Sequence, residues 1–264
     1  MTETPLVLVT GGSRGIGLAI GKRLVGAGYN VIAAARRESD ELKAAIAESE
    51  GRLHFRACDL AVIDAIPAFG KLVRDEFGPT YGLVNNAGLG ALGLTAQVSA
   101  AALDNLIKIN VQALTRLTHA ALPGFLRRDR GTIINIASII ALMPTPTGAG
   151  YSGSKAYVLN FTRSLQMELA NTKVKVQAVL PGPVRTEFFE ASGLKQAPFP
   201  DELFMTSEEL VDTALTALDQ DELICLPALQ DLSAWTAYEA ARGELIRALT
   251  QSGRPAARYA KRVG

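Results

Sequence analysis

The chain has 264 residues, with 27 basic and 26 acidic side chains and a formal charge of +1. Apolar residues make up 48% and charged residues 20%, an ordinary globular composition that excludes a disordered, collagen-like or coiled-coil chain. A balance this close to zero argues against a general nucleic-acid or anionic-membrane binder, and a chain of this length buries enough core to fold without a disulfide or metal staple.

In chain order, short β-branched runs alternate with longer helical ones. Leu6-Val7-Leu8-Val9-Thr10 is a continuous run, as expected of a strand buried on both faces. A helix is predicted from Arg14 to Ala27, closed by Gly28. Further strands are predicted over 30–35, 53–58, 83–86, 132–138, 174–180 and 223–226, with helices near 39–50, 61–77, 98–128, 152–170 and 207–219. About seven strands joined by helical crossovers predict an α/β fold, a doubly wound parallel sheet with helices on both faces. No linker, repeat or low-complexity tract interrupts residues 1–227, so they read as one domain.

Two regions break the alternation. The connection from Pro181 to Met205 carries Phe188, Phe189, Leu194, Phe199, Leu203 and Phe204, and a connection this long is usually functional or disordered. After Pro227, Leu229, Leu232, Trp235, Tyr238, Leu245, Ile246 and Leu249 fall near helical spacing. Residues 228–264 therefore read as a C-terminal helical extension packed on the same domain, ending in a basic tail with Arg254, Arg258, Lys261 and Arg262.

Cys58 and Cys225 form no C-x-x-C pair, and His54 and His119 stand far apart, so no metal site is expected. Both thiols read as buried and reduced. The first strand begins too early for a signal peptide, and the longest apolar run, 132–143, is too short to span a bilayer. The expected location is the cytoplasm.

The first strand runs into Thr10-Gly11-Gly12-Ser13-Arg14-Gly15-Ile16-Gly17 and then a helix. Glycines at such a turn let backbone approach a ligand closely, and the helix start offers free N–H groups to a phosphate. The pattern is G-x-x-x-G-x-G, neither G-x-G-x-x-G nor a Walker A loop. The second strand ends Ala33-Ala34-Ala35-Arg36-Arg37. Ala35 stands where an acid would hold a ribose 2′-hydroxyl. Arg14, Arg36 and Arg37 are expected to converge there on a 2′-phosphate, which favours NADP(H) over NAD(H). Tyr151 and Lys155 are four apart, on one helix face. A nearby ammonium is expected to lower the tyrosine pKa and fit it for proton transfer. Ser138 ends the preceding strand, Asn110 lies in the helix before it, and Asn85-Asn86-Ala87-Gly88 closes another strand.

Together these residues resemble the classical short-chain dehydrogenase/reductase family over roughly residues 5 to 226. The ordered marks are TGGSRGIG at 10–17, Asp59, NNAG at 85–88, Asn110, Ser138, YSGSK at 151–155 and PGPVRT at 181–186. The resemblance implies a Rossmann-like fold and an NADP(H)-dependent oxidoreductase. Tyr151 would be the general acid, and Lys155 would lower its pKa and bind the nicotinamide ribose. Ser138 would hold the substrate oxygen, and Asn110 would support a water in a proton relay. Gly11, Gly12, Ser13, Arg14, Gly15, Ile16 and Gly17 would cradle the phosphates. Asp59 and Leu60 would meet the adenine, Asn86 would lie along the adenosine ribose, Ala87 and Gly88 would also contact the cofactor, and Asn85 would tie strands together. The Val184 backbone and the Thr186 hydroxyl would anchor the carboxamide, with Pro181 and Gly182 also among the cofactor-binding residues.

The lid near 185–205 suggests an apolar ketone, aldehyde or secondary alcohol as substrate. Its Glu187, Glu190, Asp201 and Glu202, against Arg185 and Lys195, disfavour a strongly anionic one. The alternative is 3-oxoacyl-[acyl-carrier-protein] reduction, with Arg127, Arg128 and Arg130 meeting an acidic carrier. A third reading is a non-catalytic NADP(H)-binding regulatory protein. A sugar-nucleotide epimerase or dehydratase on a related fold is disfavoured by the glycine spacing. The resemblance also implies a homodimer or homotetramer built on the long helices near 98–128 and 152–170.

Overall fold

The computed structural model describes residues 4–194 and 199–259. Strand β1 (Leu6–Thr10) is buried along its whole length. Leu6 and Leu8 pack into one core layer, Val7 and Val9 into the other. Each such side chain removed from water contributes roughly 1.5–3 kcal/mol.

Helix α1 (Gly15–Gly26) leads to β2 (Asn30–Ala35), α2 (Asp40–Glu48) and β3 (Leu53–Ala57). Then come α3 (Ile66–Phe77), β4 (Thr80–Asn85), α4 (Ala100–Ile107), α5 (Leu114–Arg128) and β5 (Gly131–Ile136). The chain continues through α6 (Ala149–Glu168), β6 (Val174–Val179), α7 (Phe188–Ala191), α8 (Ser207–Asp219) and β7 (Ile224–Cys225). The seven strands pair in parallel in the order β3-β2-β1-β4-β5-β6-β7. Helices α1, α2 and α8 cover one face, and α3, α5 and α6 the other. The order reverses between β1 and β4, and a crevice at such a switch point is where open α/β sheets bind ligands.

Local chemistry sets several helix starts. Ser39 accepts from the Leu42 N–H at 3.1 Å, and Ser99 from the Ala102 N–H at 3.2 Å. Thr206 and Glu209 form a reciprocal capping box on α8.

The expected elements stand, with β4 starting at Thr80 where 83 was expected, and with three larger differences. The single helix predicted over 98–128 is α4 and α5 joined by a π-helical stretch, Lys108–Ala113. The connection 181–205 is not free of structure. It contains α7, a turn at Asp201–Leu203 and a parallel bridge from Val184 to Met205. The strand predicted over 223–226 is two residues long.

Cys58 and Cys225 are buried free thiols. Burial pushes them up to about 11 and about 12. His54 packs against Phe77, with ring centroids 4.9 Å apart and the rings tilted by 49°. Among the described residues no cluster is suited to a metal ion, and no helix is long and apolar enough to cross a membrane.

The chain divides into two compact units, Met1–Pro227 and Ala228–Gly264. The second contains α9 (Ser233–Thr250), on which Trp235 stacks on Tyr238 at 5.2 Å. Leu245, Ile246 and Leu249 are exposed on this helix. Arg254 and Arg258 follow it, whereas Lys261 and Arg262 lie outside the described residues, as does Lys195 of the lid.

Candidate active site

At the end of β1, Thr10 Oγ1 donates to the Val84 carbonyl at 3.1 Å. It accepts from the N–H groups of Asn86 and Ala87 at 3.0 and 3.1 Å. One hydroxyl thereby ties the glycine turn to the end of β4. The Asn86 side-chain amide donates to the Thr10 and Gly11 carbonyls at 2.9 and 3.3 Å, so it braces the turn. Asn85 points the other way and donates to Asn135 Oδ1 at 2.8 Å and Thr118 Oγ1 at 3.1 Å, joining β4 to β5 and α5.

Gly11 sits at φ +64°, a conformation that favours glycine. A methyl group at Gly17 would collide with the Gly11 carbonyl and the Asn86 amide. The start of α1, at Arg14, has no side-chain cap and no acid in its first turn. Its first N–H groups are thus left for an anion such as a dinucleotide phosphate. Ile16 meanwhile packs on the core. The bare backbone and open helix start fit a dinucleotide.

Around this turn the other expected contacts differ in exposure. Ala35 ends β2, and Arg36 and Arg37 are exposed, with no hydrogen-bond or ion-pair partner among the described residues. Arg14 instead pairs with Glu187 of the lid. Two of the three expected guanidiniums are therefore free at this corner, and the third bridges the cleft. Ser13 accepts from the Ser39 hydroxyl at 2.5 Å. Asp59 is exposed and accepts from the Ala61 N–H at 2.9 Å, while the Leu60 side chain is buried in the core.

Helix α6 brings Tyr151 and Lys155 to one face, next to Ser138 at the end of β5. Lys155 is buried and donates to the Ile136 carbonyl at 2.6 Å. Its Nζ lies 5.8 Å from the centre of the Tyr151 ring. Burial lowers Lys155 to about 8. Burial also raises Tyr151 to about 12, against the opposing pull of a hydrogen bond with Ser138. The sequence expectation was that Lys155 would depress the tyrosine. In this structure the ammonium is turned to a backbone carbonyl, and desolvation dominates. The phenol is therefore fully protonated at neutral pH. Ser138 Oγ also accepts from the Ile140 N–H at 3.3 Å and donates weakly to the Pro181 carbonyl at 3.4 Å.

Asn110 lies in the π-helical stretch. Its Oδ1 accepts from the Leu89 N–H at 2.8 Å, and its Nδ2 donates to the Leu89 carbonyl at 2.9 Å and Ser154 Oγ at 3.0 Å. Ala87 and Gly88 follow β4. A Cβ on Gly88 would lie 3.5 Å from Asn110 Oδ1 and 3.6 Å from Lys155 Nζ, so Gly88 sits beside both groups.

Across the cleft, Pro181 and Val184 are buried. The bridge to Met205 uses the Arg185 N–H and the Pro183 carbonyl, which leaves the N–H and carbonyl of Val184 out of it. Gly182 lies between them, against the Ile139 side chain. The Thr186 methyl sits 3.1 Å from where a Gly15 Cβ would be, so glycine turn and lid touch. The Phe188 ring lies 5.2 Å from that of Tyr151, and Phe189 contacts Phe188, Phe199 and Phe204.

Sequence reasoning missed three partners. These are Glu187 on Arg14, Ser192 packed where Gly90 lacks a side chain, and Ser154 on Asn110. The glycines in Leu89-Gly90-Ala91-Leu92-Gly93 were the available signal for the second.

The family model for short chain dehydrogenases matches residues 5–197. The acetoacetyl-CoA reductase of Paracoccus denitrificans is 38% identical over 186 residues, 70% of this chain and 76% of that protein. A short-chain dehydrogenase from Sphingobium yanoikuyae, solved with NADPH, is 33% identical with a TM-score of 0.88 and covers 97% of this chain and 100% of its own. A bulky-bulky ketone specific alcohol dehydrogenase from Comamonas testosteroni is 30% identical with a TM-score of 0.85, covering 98% and 100%. The chain belongs to the short-chain dehydrogenase family, and with it to the oxidoreductases acting on CH–OH and C=O groups.

Proposed function

We propose that the protein is an NADP(H)-dependent reductase of apolar ketones, run by Tyr151 as general acid. The observation that carries this is the pairing of a protonated phenol with a ring lid: Tyr151 stands beside Ser138 and under Phe188, which belongs to a cluster of four phenylalanines. Such a wall suits an apolar body around a carbonyl.

When bound, the nicotinamide supplies the hydride. Residues 11–17 hold the phosphates, Arg36 and Arg37 favour a 2′-phosphate, and Val184 and Thr186 hold the carboxamide. Ser138 donates to the substrate oxygen as charge develops there. Tyr151 then gives its phenolic proton to that oxygen. Lys155, a cation at neutral pH, stabilises the phenolate left behind and binds the ribose. Asn110 keeps the Leu89 backbone and Ser154 in place beside it and positions a relay water.

The preference for NADP(H) rests on Ala35 with Arg36 and Arg37, and is supported by the NADPH bound to the Sphingobium relative. The ketone reading is supported by the full-length likeness to the Comamonas enzyme, which extends over the C-terminal unit. Reduction of a 3-oxoacyl thioester is the second reading, favoured by the acetoacetyl-CoA reductase likeness over 70% of the chain. Arg127, Arg128 and Arg130 weigh against it within one subunit. They lie at the C-terminal end of α5, at the edge of the sheet opposite Ser138.

The test is cofactor oxidation with NADPH and NADH against aryl and dialkyl ketones, aldehydes and 3-oxoacyl thioesters. The expected result is NADPH-driven turnover of the ketones. Turnover of thioesters alone would move the assignment to the second reading, and equal use of NADH would remove the cofactor preference.

A further inference from the structure

The end of the sheet away from the catalytic edge holds a second cavity, of about 370 Å³, between α3 and the C-terminal part of α5. Its floor is core: Leu8, Val73, Leu83 and Leu117. Its space comes from missing side chains. A methyl group on Gly70 would meet only Arg74 Nη1, at 3.8 Å. One on Gly124 would meet Arg128 Nη1 at 3.5 Å and Arg127 Nη2 at 3.9 Å. Two helices thus face each other through glycines and leave a slot with an apolar floor.

Three guanidiniums border this slot, and no carboxylate does. Arg74 and Arg127 are exposed and have no ion pair among the described residues. Arg128 donates to the Thr80 carbonyl at 2.6 Å and lies 4.6 Å from the Tyr81 ring centre, yet its Nε is buried without an acceptor. Attraction to the helix dipoles explains basic residues in last turns. It does not explain why Arg127 and Arg128 bring like charges to one point over Gly124.

We propose that this cavity is a binding site for an amphiphilic oxyanion, a carboxylate or phosphate on a short apolar chain. The head is gripped by Arg127, Arg74 and Arg128 Nη1, and the tail lies on Leu8, Val73, Leu83 and Leu117. Planar guanidiniums match either head group with paired hydrogen bonds. The volume is near the small end of ligand cavities, which sets a short chain. The site is separate from the cleft at Tyr151 and independent of the function proposed above.

The experiment is calorimetric titration of the whole protein, saturated with NADPH, with decanoate, decyl phosphate and decanol. One saturable site is expected for an anionic probe, at least about tenfold tighter than for decanol. The tighter of the two anions identifies the head group. Arg127→Ala, a change to an exposed side chain, is expected to weaken anion binding about tenfold, and Gly124→Leu to abolish it. Both variants should keep wild-type affinity for NADPH and wild-type ketone turnover. Binding that is equal for decanol, or unchanged in both variants, would overturn the proposal, as would no saturable binding to the wild type.

Discussion

The glycine turn and the lid border one cleft and are held by different forces. Residues 10–17 are fixed by directed hydrogen bonds from Thr10 Oγ1 and the Asn86 amide, and by backbone so close that Gly17 has no room for a methyl group. The lid is held by ring contacts of 5.2–6.5 Å among Phe188, Phe189, Phe199, Phe204 and Tyr151. It also uses the exposed pair Arg14–Glu187. Hydrogen bonds fix a position closely, whereas apolar contacts are non-directional. On the function proposed above, the turn serves as a rigid frame for a cofactor and the lid as an adaptable wall for a substrate.

The comparison breaks most sharply at Gly17. Gly17→Ala forces backbone apart and should cost roughly 1–3 kcal/mol of stability. NADPH binding should weaken at least about tenfold, read by fluorescence titration and thermal unfolding. Wild-type binding would show that the turn is not the frame. On the lid side, Phe188→Ala should raise KM for an apolar ketone about tenfold, with NADPH affinity unchanged. A matching loss of NADPH affinity would mean that lid and turn act as one body.

The proton side sharpens the same contrast. Lys155, lowered to about 8, is charged below that pH and neutral above it. Reduction should therefore fall with an apparent pKa near 8, by about tenfold per further pH unit. Tyr151, raised to about 12, stays protonated across that range and sets no limit. A profile flat from pH 7 to 10 would remove Lys155 from the proton step. The smallest effect belongs to Glu187→Gln. It frees Arg14 for phosphate, and since an exposed ion pair is worth about 0–1 kcal/mol, NADPH should bind up to about fivefold tighter. Weaker binding in a titration would mean that Glu187 orients Arg14 productively.

The same contrast explains what was legible in the sequence. Residues 10–17 sit in a strand–turn–helix whose constraints are local, so glycine spacing identified them. The parallel sheet was readable because β1 and its neighbours are buried on both faces. The division of 98–128 was not readable. It depends on Asn110 turning inward to the Leu89 backbone, a contact 21 residues away in sequence. The Tyr151–Lys155 spacing located both groups, but not the Ile136 carbonyl that takes the lysine proton donor. The structure of the lid was hidden because it comes from ring contacts between residues up to 37 apart, such as Tyr151 and Phe188. Glu187 on Arg14 lies still further off in sequence, 173 residues away.

The account turns on Tyr151 as the acid, and single-turnover hydride transfer from NADPH to a ketone that the wild type reduces tests it most directly. Tyr151→Phe should slow that step by roughly 10²–10⁴-fold and leave NADPH affinity within about twofold. Hydride transfer at the wild-type rate in this variant, with NADPH bound as before, would contradict the account.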